Sequence, residues 1–200
     1  TLLYFGDNDT TNGGHILLRY RGSDGSLFFR YGSNNNYLKW VGADNLTPAG
    51  TWKHVTITYD GGTTGASSGD INSYYGRFAI FVDGSDVTSG GNWTQGNYGW
   101  SSGIDSDNFR IGRYDSGAYL RDNVRIDELA IWDSDRTANV SGIYNSGSTH
   151  DLSQLTNPPR HWWRMGDGDT YPYLQDNGTA NNCVFQMYNM TAANIVTDAP

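Results

Sequence analysis

Tryptophan and tyrosine beside Asp and Asn are the residue types that hold sugars. The rings stack on the apolar faces of a pyranose, and the carboxylates and amides take its hydroxyls. Residues 88–107 gather these types in a Gly-rich stretch that reads as a loop, and Trp93, Tyr98 and Trp100 are its candidate carbohydrate-binding residues, with Trp40 and Tyr114 behind them. The competing reading is that loop aromatics cap the ends of a β-sandwich. Oxygen-rich runs suggest a second chemistry. Asp7 and Asp9, followed by Asn12-Gly13, and the pair Asp167 and Asp169 present the ligands that a hard cation such as calcium takes. Neither run is an EF-hand loop, because counting from Asp7 puts Leu18 where a bidentate Glu is required.

Catalytic constellations are harder to build. His15, His54, His150 and His161 have no partner spacing, the lone Cys183 has no catalytic motif around it, and neither G-x-S-x-G nor a phosphate-binding glycine pattern occurs. Glycoside hydrolysis ordinarily needs a pair of carboxylates flanking the bond. The chain has a single Glu, Glu128, and the pairs Asp105/Asp107 and Asp167/Asp169 sit in Gly-rich stretches that read as turns. The expectation is a non-enzyme. The acceptor pattern N-x-[S/T] recurs at Asn8, Asn45, Asn92, Asn139, Asn177 and Asn189, candidate N-glycosylation sites if the chain is secreted from a eukaryote.

The elements that must position these groups are strands. With 26 Gly, 14 Tyr and 7 Trp but one Glu and two Lys, the composition favours strands and turns over helices, so the class is all-β. Residues 15–21 and 26–31 read as two strands of a hairpin joined by Gly22-Ser-Asp-Gly25. Residues 37–41 form a short strand. Residues 52–59 alternate, with Val55, Ile57 and Tyr59 on one face and His54, Thr56 and Thr58 on the other; residues 74–82 set Phe78, Ile80 and Val82 on one face. Residues 125–132, Arg-Ile-Asp-Glu-Leu-Ala-Ile-Trp, carry apolar residues on both faces, which predicts a strand inside a sheet.

Net charge is −8 and the Arg residues are scattered singly, so no basic stripe is set out for nucleic acid. No apolar run approaches the roughly 20 residues that span a bilayer, which argues against membrane insertion. One cysteine leaves no intrachain disulfide framework.

Four ordered stretches then carry a resemblance. Gly50-Thr-Trp-Lys-His-Val-Thr-Ile-Thr-Tyr-Asp60, Phe78-Ala-Ile-Phe-Val-Asp-Gly84, Phe109-Arg-Ile-Gly-Arg113, and the Ile-Asp-Glu-Leu strand with Ile143-Tyr-Asn-Ser-Gly147 after it resemble the strands of laminin-G-like, concanavalin A-like domains. The resemblance implies an antiparallel jelly-roll β-sandwich with a short helical turn near residues 138–146. It places Asp127 where the family holds a calcium ligand on its last strand; a plain strand Asp paired with Arg110, Arg113 or Arg125 is the alternative. It also shows what is missing, since the E-x-D-x-x-E strand of the laminarinase-like relatives is absent.

The jelly roll is expected over residues 1–148, with its opening strands missing or supplied in trans, and a C-terminal extension over residues 149–200. That extension, with Trp162-Trp-Arg-Met-Gly-Asp-Gly-Asp169 and Asp176-Asn-Gly178, resembles the opening of a further unit of the same family. The chain thus looks permuted or cut in mid-repeat, so that residues 162–190 close their own sandwich or strands come from upstream sequence or a neighbouring copy. An uncovered sheet edge invites pairing. The combination resembles repeat modules of phage-appendage and bacterial surface proteins, which implies an extracellular, self-associating structural subunit. A calcium-assisted lectin-like module and an accessory domain of a larger secreted enzyme are the alternatives.

Overall fold

The computed structural model describes residues 1–6, 14–33, 35–62, 74, 76–96, 108–114 and 124–196. The chain divides into two compact units, Thr1–Val124 and Arg125–Pro200.

The first unit is built of β1 (Leu3–Gly6), β2 (His15–Arg21), β3 (Ser26–Gly32), β4 (Tyr37–Val41), β5 (Val55–Tyr59), β6 (Phe78–Val82), β7 (Ser85–Asp86), β8 (Asn92–Gln95) and β9 (Phe109–Ile111). Six strands form one sheet in the order β8-β4-β3-β2-β1-β9, and β5-β6-β7 form another. All pairs are antiparallel. The alternation that predicts these strands also fixes what lies between the sheets. Leu27 and Phe29 of β3 and Leu38 and Trp40 of β4 meet Phe78, Ile80 and Val82 of β6, with Val55, Ile57 and Tyr59 of β5 packed against the same cluster. The aromatic rings interlock across the gap: Phe78 lies 5.2 Å from Phe29, 5.1 Å from Tyr31 and 5.0 Å from Tyr59 between centroids. Two antiparallel sheets sharing one apolar core make a β-sandwich, consistent with a concanavalin A-like architecture.

Two expectations change here. Residues 88–107 were expected to be loop throughout, yet Asn92–Gln95 is the edge strand β8, with Trp93 opposite Trp40. Trp93 is half-buried, packed on the core and edge-on to Phe29 at 6.5 Å. Glycine on either side masked a strand that only its partner β4 makes visible.

The second unit holds β10 (Leu129–Ile131), α1 (Val140–Tyr144), β11 (His161–Trp163), β12 (Tyr173–Leu174) and β13 (Phe185–Gln186). The predicted helical turn is present: α1 buries Val140 and Ile143 and stops at Asn145, whose left-handed φ of 49° ends the helix. The long strand predicted over residues 125–132 shrinks to three residues. Glu128 adopts φ +51°, a left-handed conformation that breaks an extended run just before Leu129. Among the described residues β10 pairs with β11 alone, in the register Leu129↔Trp163, Ala130↔Trp162 and Ile131↔His161. That pairing ties Ile-Asp-Glu-Leu to the Trp162-Trp163 stretch within the unit that begins at Arg125.

Asp176 fixes the turn around β11. Its fully buried carboxylate accepts from His161 Nδ1 at 2.6 Å and from the backbone N–H groups of Trp162 (3.0 Å), Gly178 (2.9 Å), Asn182 (3.3 Å) and Cys183 (3.3 Å). Trp163, also fully buried, donates its indole N–H to the Cys183 carbonyl at 2.7 Å and lies 4.6 Å from Phe185.

Candidate functional site on the outer face of the six-stranded sheet

Because successive side chains alternate, the register that sends Phe29, Leu38, Trp40 and Trp93 inward sends their neighbours outward. Following the pairs across the sheet, Tyr4 faces Arg110 and Leu17, Leu17 faces Arg30, Arg30 faces Lys39, and Lys39 faces Thr94. One step along, Arg19 faces Phe28 and Phe28 faces Val41. The outward strand positions therefore carry Arg19, Arg21, Arg30, Lys39 and Arg110, and no carboxylate.

Rings sit among these cations. The Arg30 guanidinium lies 4.4 Å from the Tyr37 ring centroid, and the Lys39 ammonium is 5.9 Å from the same ring. Arg19 lies 4.5 Å from Tyr114 and 5.9 Å from Phe28, and Arg110 lies 5.8 Å from Tyr4. Such contacts hold a cation over the electron-rich ring face. Arg30 also donates to the Ser33 carbonyl at 2.6 Å, and burial lowers its pKa without discharging a guanidinium at neutral pH. The face is closed near β1, where Tyr4, His15 and Leu17 are buried and Tyr4 packs edge-on against Tyr114 at 5.3 Å. It is half-exposed over β2–β4, at Arg19, Phe28, Arg30, Tyr37 and Lys39. Chemically the arrangement offers hydrogen-bond donors, positive charge and ring faces. Its strand positions offer no carboxylate to protonate a leaving group or activate a water.

Of the residues singled out from the sequence, Trp93 lies on the inward side of the same sheet, and Tyr98, Trp100, Asp7, Asp9 and Asn8 lie outside the described residues. Asp127 is half-buried in the second unit, and burial raises its pKa, with the neighbouring Asp167 adding to the rise. Among the described residues no three His, Cys, Asp or Glu side chains converge in the manner of metal ligands. Asn45, Asn92, Asn139, Asn177 and Asn189 are all exposed.

The outer face itself escaped the sequence reading, although its signal was there. The strands His-Ile-Leu-Leu-Arg-Tyr-Arg, Ser-Leu-Phe-Phe-Arg-Tyr-Gly and Tyr-Leu-Lys-Trp-Val each put a cation on the side opposite their apolar positions.

The family model described as the concanavalin A-like lectin/glucanases superfamily matches residues 2–140. The chain belongs to this superfamily. No curated protein and no solved structure matches the chain. Superfamily membership covers both enzymes and non-enzymes, so the roles of individual residues rest on their own geometry.

Beyond the first unit, Glu128 is a further ionisable group in a special setting. Its carboxylate accepts from the Trp162 indole N–H at 2.5 Å and lies 3.6 Å from Arg164 Nε, while Arg164 pairs with Asp167 at 2.7 Å. Burial raises the Glu128 pKa from its ordinary value of 4.5, outweighing the Trp162 hydrogen bond. A carboxylate with a raised folded pKa binds its proton more tightly in the folded state. Stability therefore rises as pH falls through that raised value and levels off below 4.5. Glu128→Gln keeps an acceptor for Trp162 and removes the charge. Thermal midpoints across acid to neutral pH are expected to show the variant at least as stable as the parent at pH 7 and to lack the Glu128 share of the rise on acidification. A midpoint several degrees lower at pH 7 would show instead that the charge pair with Arg164 holds the segment.

Proposed function

We propose that the chain is a non-catalytic structural module that associates with further copies of itself in an extracellular fibre, filament or virion appendage. The observation that carries this reading is where the exposed apolar side chains fall. Tyr171, Tyr173, Val184, Tyr188, Met190 and Val196 are all exposed, Tyr188 by 75 %, within one 26-residue stretch of the second unit. The β12–β13 register, Tyr173↔Gln186 and Leu174↔Phe185, explains their grouping. Leu174 and Phe185 point inward, Phe185 onto Trp163, so alternation turns Tyr173 and Val184 the other way. Concentrated exposed apolar surface is the mark of a protein–protein contact. Strand edges add to it, because among the described residues β8 and β9 each have one partner only.

Light scattering over a wide concentration range tests this. Native chain is expected to give masses that are multiples of 22.1 kDa, and Tyr173→Ser with Tyr188→Ser is expected to return it to a monomer. A clean monomer at every concentration would sink the assembly reading.

A second reading is supported by the outer sheet face. Rings alternating with donors suit a carbohydrate-binding, lectin-like module.

A further inference from the structure

Arg30 on β3 and Lys39 on β4 are directly opposed in the antiparallel register. Cross-strand partners have Cβ atoms roughly 5 Å apart, and like charges at that position oppose pairing. Both cations reach the one Tyr37 ring, at 4.4 Å and 5.9 Å. Arg19 extends the cluster across β2, and among the described residues neither Arg19 nor Lys39 is paired with a carboxylate. All this occurs on a chain whose net charge is −8. Among the described residues, the outward strand positions of β2–β4 thus set positive charges side by side with no carboxylate among them, an arrangement that a negative ligand would steady.

We propose that the outer face of β2–β4 binds an acidic polysaccharide. A carboxylate or sulfate group seats between Arg30 and Lys39, the sugar ring bearing it lies on Tyr37, and Arg19 takes a second anionic group along the chain. Arg19 and Lys39 are two strand spacings apart and offset by two residues along the strands, roughly 12 Å in all, close to the length of a disaccharide repeat. Donors, point charge and ring face are the three features that an acidic sugar uses together, whereas a phosphate alone would leave Tyr37 idle. The proposal rests on the carbohydrate-binding reading above and names its ligand class.

Affinity electrophoresis of the folded chain through gels containing polygalacturonate, dextran sulfate or neutral dextran tests both. Retardation by polygalacturonate or dextran sulfate, weakened by salt and absent with dextran, is the expected result; which of the two retards more tells a carboxylate ligand from a sulfate one. Lys39→Gln is expected to weaken it at least tenfold with an unchanged circular dichroism spectrum, and Arg19→Gln to weaken it further. These two variants carry the test should Arg30→Gln fail to fold. Equal retardation by neutral dextran would overturn the acidic class while leaving the carbohydrate reading standing. No retardation in any gel would remove both. Retardation that Lys39→Gln leaves unchanged, or tighter binding of a single-stranded oligonucleotide than of either acidic polymer, would also overturn the proposal.

Discussion

Asp176→Ala is expected to destabilise the second unit by roughly 3–5 kcal/mol, the usual cost of removing one partner from a buried charged network. The reason is the number of donors that converge on one carboxylate. Asp176 is the acceptor for His161 and for the backbone of Trp162, Gly178, Asn182 and Cys183, and its side chain is 0 % exposed. Each buried donor left without an acceptor costs about 1–3 kcal/mol. Hydrogen exchange is the sharpest readout: the amides of Trp162 and Gly178 should lose protection in the variant, alongside a lower thermal midpoint. Asp176→Asn should fall between parent and Ala variant, because it can still accept at one oxygen.

The same site sets an acid limit. Burial pushes the Asp176 carboxyl up, but the His161 and backbone hydrogen bonds outweigh it and hold its pKa below the ordinary 3.8. A depressed folded pKa contributes stability that is present above the unfolded value and is lost as pH falls through the folded one. The second unit should therefore weaken below about pH 4, opposite in sign to the Glu128 effect above. Unchanged exchange at Trp162 and Gly178 in Asp176→Ala would show that water replaces the carboxylate and that the turn holds without it.

These two carboxylates show what was and was not legible in the chain. Local alternation announces β2 to β6, and with them the sandwich, because a strand's inward face is written in its own residues. The Ile143-Tyr-Asn-Ser-Gly147 stop of α1 is equally local. Register is not local. Arg19, Arg30, Lys39 and Arg110 look scattered along the sequence and become one face only when five strands pair. Trp93 reads as a loop residue until β4 supplies its partner. The left-handed turn at Glu128 has no compositional signature, since glutamate carries no preference for positive φ, and it interrupts the extended run just before β10.

In the first unit the largest effect belongs to Trp40. Its side chain is fully buried, its indole N–H donates to the Thr88 carbonyl at 3.0 Å, and it sits among Phe29, Leu38 and Ile80. Trp40→Ala is expected to cost roughly 3–5 kcal/mol, a large share of the 5–15 kcal/mol that holds a typical domain. Trp40→Phe, which keeps most of the volume and loses the hydrogen bond, should cost less. Gly91 supplies the control. A Cβ built there would lie 2.2 Å from the indole Nε1 and Cε2, so Gly91→Ala forces the ring out of place and is expected to cost about 1–3 kcal/mol in the parent. In the Trp40→Ala background that clash is gone, and the new methyl enters space the indole has vacated. The double-mutant cycle, measured by denaturant unfolding, should therefore show a coupling of about 1 kcal/mol or more between the two positions. Strict additivity would mean that the 87–91 segment yields to a methyl group without disturbing the indole, and that Trp40 holds the sandwich through Phe29, Leu38 and Ile80 alone.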